Sequence, residues 1–250
     1  MWSLKDLKEI VEDKFIKTKP LDVETGLNEI ETTKAFLEQL KKYNIPIKTL
    51  NDIPYLFYLL RYSDDEFTTK LLSQKHEDLM QTARATIYAM KGDCEDIHRF
   101  YNAVAIALGE KVENVNLMVM FFGDKENITG AHATSVINEK ILTDYQAYVY
   151  ANSLKGILSY LKDIYFPIYA YVMLGIELKD GFIYYKYKRA EVFDNNDYKY
   201  NIQVATPTKA INELRNHLYR NSEYENKEKT NTFLKFGSIA ALSYILGKII

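Results

Sequence analysis

The decapeptide Ala89-Met90-Lys91-Gly92-Asp93-Cys94-Glu95-Asp96-Ile97-His98 constrains this chain more than any other stretch. Gly92-Asp93 is a turn signal, and Cys94 then opens an apolar run (Phe100, Tyr101, Ala103, Val104, Ala105, Ile106, Ala107 and Leu108) that stops at Gly109. That pattern predicts a buried helix with Cys94 in its first turn. Cys94 is the only cysteine, so no disulfide can form within the chain. Unpaired N–H groups and the positive end of a helix dipole favour a thiolate, which places the expected thiol pKa below its free value of about 8.5. The competing reading is an inert, packed cysteine, since free cysteine is among the most buried residue types.

Asn116 to Phe122 is almost wholly apolar and ends at Gly123-Asp124, as a central buried strand does. Two shorter runs follow, Gly130 to Asn138 and Lys140 to Tyr145, joined at Asn138-Glu139-Lys140. They read as an antiparallel hairpin. Pairing about Asn138 and Glu139 sets His132 opposite Tyr145, beside Asp144. A base and a carboxylate to orient it are thus expected together.

The Gly92-Asp93-Cys94-Glu95-Asp96 motif, the Ala-rich helix ending in Leu108-Gly109, the strand, and then His132 and Asp144 on successive strands resemble the transglutaminase-like superfamily of papain-type Cys-His-Asp proteins. The resemblance covers residues 80 to 150. It implies an α+β fold: a Cys-bearing helix packed on a small antiparallel sheet, with added N-terminal helices and a C-terminal hydrophobic helix. It further implies that Cys94 is the nucleophile, His132 the general base and then acid, and Asp144 the residue that holds the imidazole. Backbone N–H groups at the helix start would form part of an oxyanion site. Two features depart from the family pattern: Tyr145 follows Asp144 where proline is common, and Ala133, Thr134 and Ser135 are small. His98 lies one helical turn after Cys94 and competes with His132 as the thiol's partner. His132 is preferred because it alone has a carboxylate in register.

With 250 residues, 47% of them hydrophobic, the chain can bury a large core. Lys plus Arg number 32 against 34 Asp plus Glu, so no global basic field points to nucleic acid. The interleaved aromatic and basic residues of 182–188 and 198–204 read as solvated edge strands linked through Asp194-Asn195-Asn196-Asp197, rather than as a base-stacking surface. Twenty-one tyrosines suit a partner-facing surface, although a coding bias that also enriches Lys, Asn and Ile explains them equally well. His76-Glu77 lacks the second histidine of a zinc helix, and neither metal nor cofactor is expected. Met1 to Asp6 does not resemble a signal peptide, which suggests a cytoplasmic or virion-associated protein.

The expected organisation is a helical region at 1–62, a core at 63–175, a strand-rich extension with a helix at 176–220, and a linker with a hydrophobic helix at 221–250. Helices are expected over 3–17, 26–43, 76–90, 154–161 and 208–219. The apolar stretch 165–174 is either a core element or a partner-facing surface. The apolar part of the tail between Lys235 and Lys248 is shorter than the ~20 residues that cross a bilayer, so 233–250 is an assembly helix or a membrane-active one, with docking on its own chain as the third reading. Two functions follow. The first is a thiol hydrolase or acyltransferase acting on an amide or peptide bond, for which the resemblance also suggests a phage particle. The second is a structural or assembly protein in which the triad is idle.

Overall fold

The computed structural model describes residues 1–42, 44–63, 79–144, 147–165, 167–193 and 202–205. The expected helices at 208–219 and 233–250, His76, Tyr145 and the Asp194–Asp197 link lie outside them. The described chain is α+β, built on one seven-stranded antiparallel sheet. None of its described helices is long and apolar enough to cross a membrane.

Helix α1 (Leu4–Val11) starts at Ser3, whose N–H donates to Asp6 Oδ2 at 2.8 Å. It runs straight into a π-helical segment, Glu12–Lys17, which ends with Thr18 N–H donating to Asp13 O five residues back. Helix α2 (Glu29–Lys42) begins three residues later than the apolar spacing suggests, because Asn28 caps it: Glu31 N–H donates to Asn28 Oδ1 at 2.9 Å. The apolar run after Asn51 winds as a 3₁₀ helix, Leu50–Tyr58, and leads into β1 (Arg61–Tyr62), which pairs in parallel with β2 (Lys91–Gly92).

Helix α3 covers only Ala83–Ala89. Residues 79–82, expected to be helical, are instead spent on a bridge: Leu21 N–H donates to Met80 O and Thr82 N–H to Leu21 O. Helix α4 is Cys94–Ala107, so the cysteine occupies the first helical position. The remaining elements are β3 (Val115–Gly123), β4 (Ile128–Ile137), β5 (Ile141–Asp144), β6 (Ala147–Ala151), α5 (Leu154–Ile164), β7 (Ile168–Lys179), β8 (Phe182–Val192) and β9 (Ile202–Ala205).

The strand order is β8-β7-β3-β4-β5-β6-β9. The expected strands at 182–188 and 198–204 therefore do not sit together; β8 and β9 are the two opposite edges. The apolar stretch at 165–174 supplies β7, which sits beside the central strand β3 and runs through position 175 into the region expected to be an extension.

Alternation along the strands gives the sheet two apolar faces. One carries Leu117, Val119, Val172 and Leu174 and packs under α1, α2, α3 and α4 through Leu7, Phe36, Ile87 and Phe100. The other carries Met118, Met120, Val136, Leu142 and Met173 and packs under α5 through Ile157 and Leu161.

A fully buried ion pair ties the helical layer to the sheet. Glu29, at the start of α2, accepts from Arg99 Nε at 2.6 Å and Nη2 at 2.9 Å, from Ala83 N–H at 2.6 Å and from Ile183 N–H at 3.0 Å. Arg99 also donates to Ile183 O at 2.6 Å. One carboxylate thus locks α2, α3, α4 and β8 together. Sequence reading missed it, because its partners lie 54, 70 and 154 positions away and the local patterns do not link them.

Candidate active site

The start of α4 is held by Asp96, which is fully buried and accepts from Gln81 N–H at 2.6 Å, from the Gln81 side-chain amide, and from Asp93 N–H at 3.3 Å. Gly92 is required here, since a Cβ at that position would be driven into the Asp96 side chain. The tight turn is therefore part of what sets the position of Cys94.

The β4–β5 hairpin turns through three residues, Asn138, Glu139 and Lys140, the first two with positive φ (56° and 52°). Its register pairs Ser135 with Thr143 and Ile137 with Ile141. This is one step from the sequence expectation, and the step matters. Continued by one position, the register sets Asp144 opposite Thr134, so Asp144 shares a sheet face with His132; in the expected register the two side chains point to opposite faces. In the observed one they meet diagonally: His132 Nε2 and Asp144 Oδ1 are 2.8 Å apart.

Tyr165, at the end of α5, completes this cluster. Its hydroxyl donates to Asp144 Oδ2 at 2.6 Å and lies 3.4 Å from His132 Nε2. Its ring is 5.1 Å from the His132 ring and stacks on Phe122 at 5.6 Å. Sequence reading missed Tyr165. The only available signal was a tyrosine just after a helix that follows the His-Asp hairpin, and with 21 tyrosines that singles out none of them.

Cys94 comes from the other side of the sheet. Among the described residues, β5 ends at Asp144 while β4 runs on to Ile128, which leaves one flank of β4 without a strand. There Ala133 N–H is donated to Cys94 Sγ at 3.5 Å. The sulfur therefore touches the strand one residue from His132. The structure does not join Sγ to the His132 imidazole by a hydrogen bond; the thiol instead donates to Glu95 Oε2 at 3.0 Å. Glu95 is in turn paired with Lys14 from the π-helical segment. His98 is fully buried, donates from Nδ1 to Cys94 O at 2.5 Å, and stands edge-on to His132 at 5.9 Å. It is thus committed to the backbone of the Cys94 turn rather than to the sulfur.

The electrostatics correct the sequence expectation for the thiol. Burial pushes the Cys94 pKa up, and the nearby carboxylates of Glu95 and Asp93 push it further. A buried flank and two acidic neighbours outweigh the helix terminus. For Asp144, burial acts upward, yet the hydrogen bond and charge of His132, with help from His98 and Tyr165, hold it down at about 2. Burial lowers His98 to about 4, so its ring is neutral near neutrality. Tyr165 is raised by burial and by Asp144, so it stays a donor.

These two shifts predict acid lability in successive pH windows. His98 has a folded pKa below its ordinary 6.5, so the unfolded chain binds the extra proton first. Stability is lost as pH falls from about 6.5 to about 4, by about 3 kcal/mol. Asp144 then loses its contribution, about 2 kcal/mol, as pH falls from about 4 to about 2. Urea unfolding at several pH values checks this: His98→Asn should flatten the upper window and only narrow the lower one, which rests mainly on His132.

No protein-family model, curated protein or solved structure matches the chain. What the site can do therefore rests on its own groups. The Cys94 and Glu95 N–H groups in the first turn of α4 are left without acceptors by the described hydrogen bonds, as helix starts leave them. They lie beside a sulfur, with an imidazole–carboxylate pair one residue from the sulfur's contact on β4. The donors of Asp93, Cys94 and Glu95 lie within 4.8 Å of one another, a spacing that could hold a metal ion. A cation there would compete with the Lys14 ammonium for Glu95.

Proposed function

We propose that the protein is a thiol hydrolase or acyltransferase that acts on an amide or peptide bond, on a papain- or transglutaminase-like core. The observation that carries this reading is the His132–Asp144 contact of 2.8 Å beside a strand residue, Ala133, that touches Cys94 Sγ. Asp144 occupies Nε2 of the imidazole, so a proton held there leaves Nδ1 as the basic nitrogen. In the reaction, His132 Nδ1 takes the thiol proton as Sγ bonds to the carbonyl carbon. Free N–H groups at the start of α4 receive the oxyanion. Collapse of the tetrahedral species breaks the C–N bond, His132 returns the proton to the leaving amine, and a Cys94 thioester remains. Water or a second amine then takes the acyl group.

A second reading is favoured by one observation: at rest the thiol proton points to Glu95 rather than to His132. In that case the fold is a scaffold with an idle triad, suited to a structural or assembly role in a phage particle. Its partners would be proteins engaged through tyrosine-rich surface, with residues 233–250 docking on protein or membrane.

An activated ester separates the two readings. Mixing the full chain with p-nitrophenyl acetate should give a burst of p-nitrophenolate that is lost in Cys94→Ala and slowed about 100-fold in His132→Ala. Absence of a burst from the native chain, together with a thiol that alkylates only after denaturation, favours the scaffold.

A further inference from the structure

We propose that Glu95 is the resting-state acceptor of the Cys94 thiol proton, and that Lys14 sets how firmly it holds that proton. The reading shares its nucleophile with the thiol chemistry above and makes a claim about the control of that nucleophile. The geometry is specific. Cys94 Sγ donates to Glu95 Oε2 at 3.0 Å. The other carboxylate oxygen, Oε1, is in contact with Lys14 Nζ. The Glu95 side chain is only 4% exposed and that of Lys14 23%, so water screens this line of charges poorly.

The sequence separation is informative too. Lys14 lies 80 residues before Cys94 and reaches the neighbouring Glu95 from a π-helical segment, a winding found often at functional sites. Phe15 on that turn is buried in the core against Tyr185, ring to ring at 6.2 Å, which fixes the turn in place.

The groups around the sulfur divide into two sets. Glu95 and Asp93 on α4 oppose ionisation of the thiol, and Asp144 across the sheet adds a more distant negative charge. Lys14 opposes Glu95. His132 is the base the reaction needs, while His98 is engaged with the Cys94 carbonyl and Tyr165 with Asp144. For the thiol to reach His132, Sγ–H must leave Glu95. The Lys14 ammonium weakens Glu95 as an acceptor, so the ion pair sets the cost of that departure. Resting in the thiol form would protect the half-buried nucleophile from adventitious alkylation and oxidation until a substrate displaces the hydrogen bond.

Alkylation of the native full chain by iodoacetamide, followed across pH, tests this directly. Glu95→Gln removes the negative acceptor and leaves Lys14 near the sulfur; it should speed alkylation about tenfold or more near neutral pH and move the rate–pH profile to lower pH. Lys14→Met leaves Glu95 uncompensated; it should slow alkylation about tenfold and move the profile upward, with Lys14→Arg restoring the native profile. Unchanged or opposite shifts in Lys14→Met overturn the role of Lys14. A Glu95→Gln rate at or below that of the native chain overturns the whole proposal. If Glu95→Gln does not fold, the Lys14 pair of variants still decides. The ester burst is read separately: no burst with profiles that shift as stated removes the enzyme reading and leaves the thiol control standing.

Discussion

Replacing Glu29 with alanine is expected to destabilise the fold by about 3–5 kcal/mol, the cost of leaving a buried charge without its partner. Arg99 is 2% exposed, so its guanidinium would be left buried without its counter-charge. Two backbone donors, Ala83 N–H and Ile183 N–H, lose their acceptor in the same step. Urea unfolding at neutral pH measures the loss as a lower midpoint. The double variant Glu29→Leu/Arg99→Met should recover much of it, because removing both charges costs far less than stranding one. A loss below about 1 kcal/mol in Glu29→Ala would show that the helices α2, α3 and α4 do not depend on this pair.

The second large effect is on chemistry. Asp144→Ala is expected to cut the ester burst rate about 100-fold, as much as His132→Ala does, because an imidazole without its orienting carboxylate is no longer held as a base. The imidazole then loses the contact at Nε2 that fixes its tautomer. Tyr165→Phe should act in the same direction but only about tenfold, since it removes the donor to Oδ2 and leaves the contact at Oδ1 intact. Stopped-flow absorbance reads both, with far-UV circular dichroism to confirm that each variant is folded. An Asp144→Ala burst within tenfold of the native rate would falsify the assigned role of the carboxylate.

Local signals carried the parts of this molecule that depend on near neighbours. The helix behind Cys94, the strand at 115–123 and the hairpin around Asn138-Glu139 all follow from apolar runs bounded by turn residues. Register was harder. A single step separates the expected pairing from the observed one, and turn residues alone did not distinguish them. The state of the thiol was misread because the helix dipole is visible in sequence, whereas the burial and the acidic neighbours that outweigh it appear only in three dimensions. Lys14, Tyr165 and the Glu29–Arg99 pair share one property: each meets its partner across a long stretch of chain, with no periodicity to announce it. The same is true of β8 and β9, whose similar composition suggested neighbours and whose places are the two ends of the sheet.

The Glu29 carboxylate has a consequence for how the protein is made. Its acceptor sites are not all filled until Ile183 emerges, 154 residues later, which at bacterial or eukaryotic elongation rates is roughly 8–30 s of translation. Throughout that interval the first helices are on hand with a charged group that has no complete shell. The helical layer is therefore expected to close fully only once β8 has left the ribosome, with β9 still to follow.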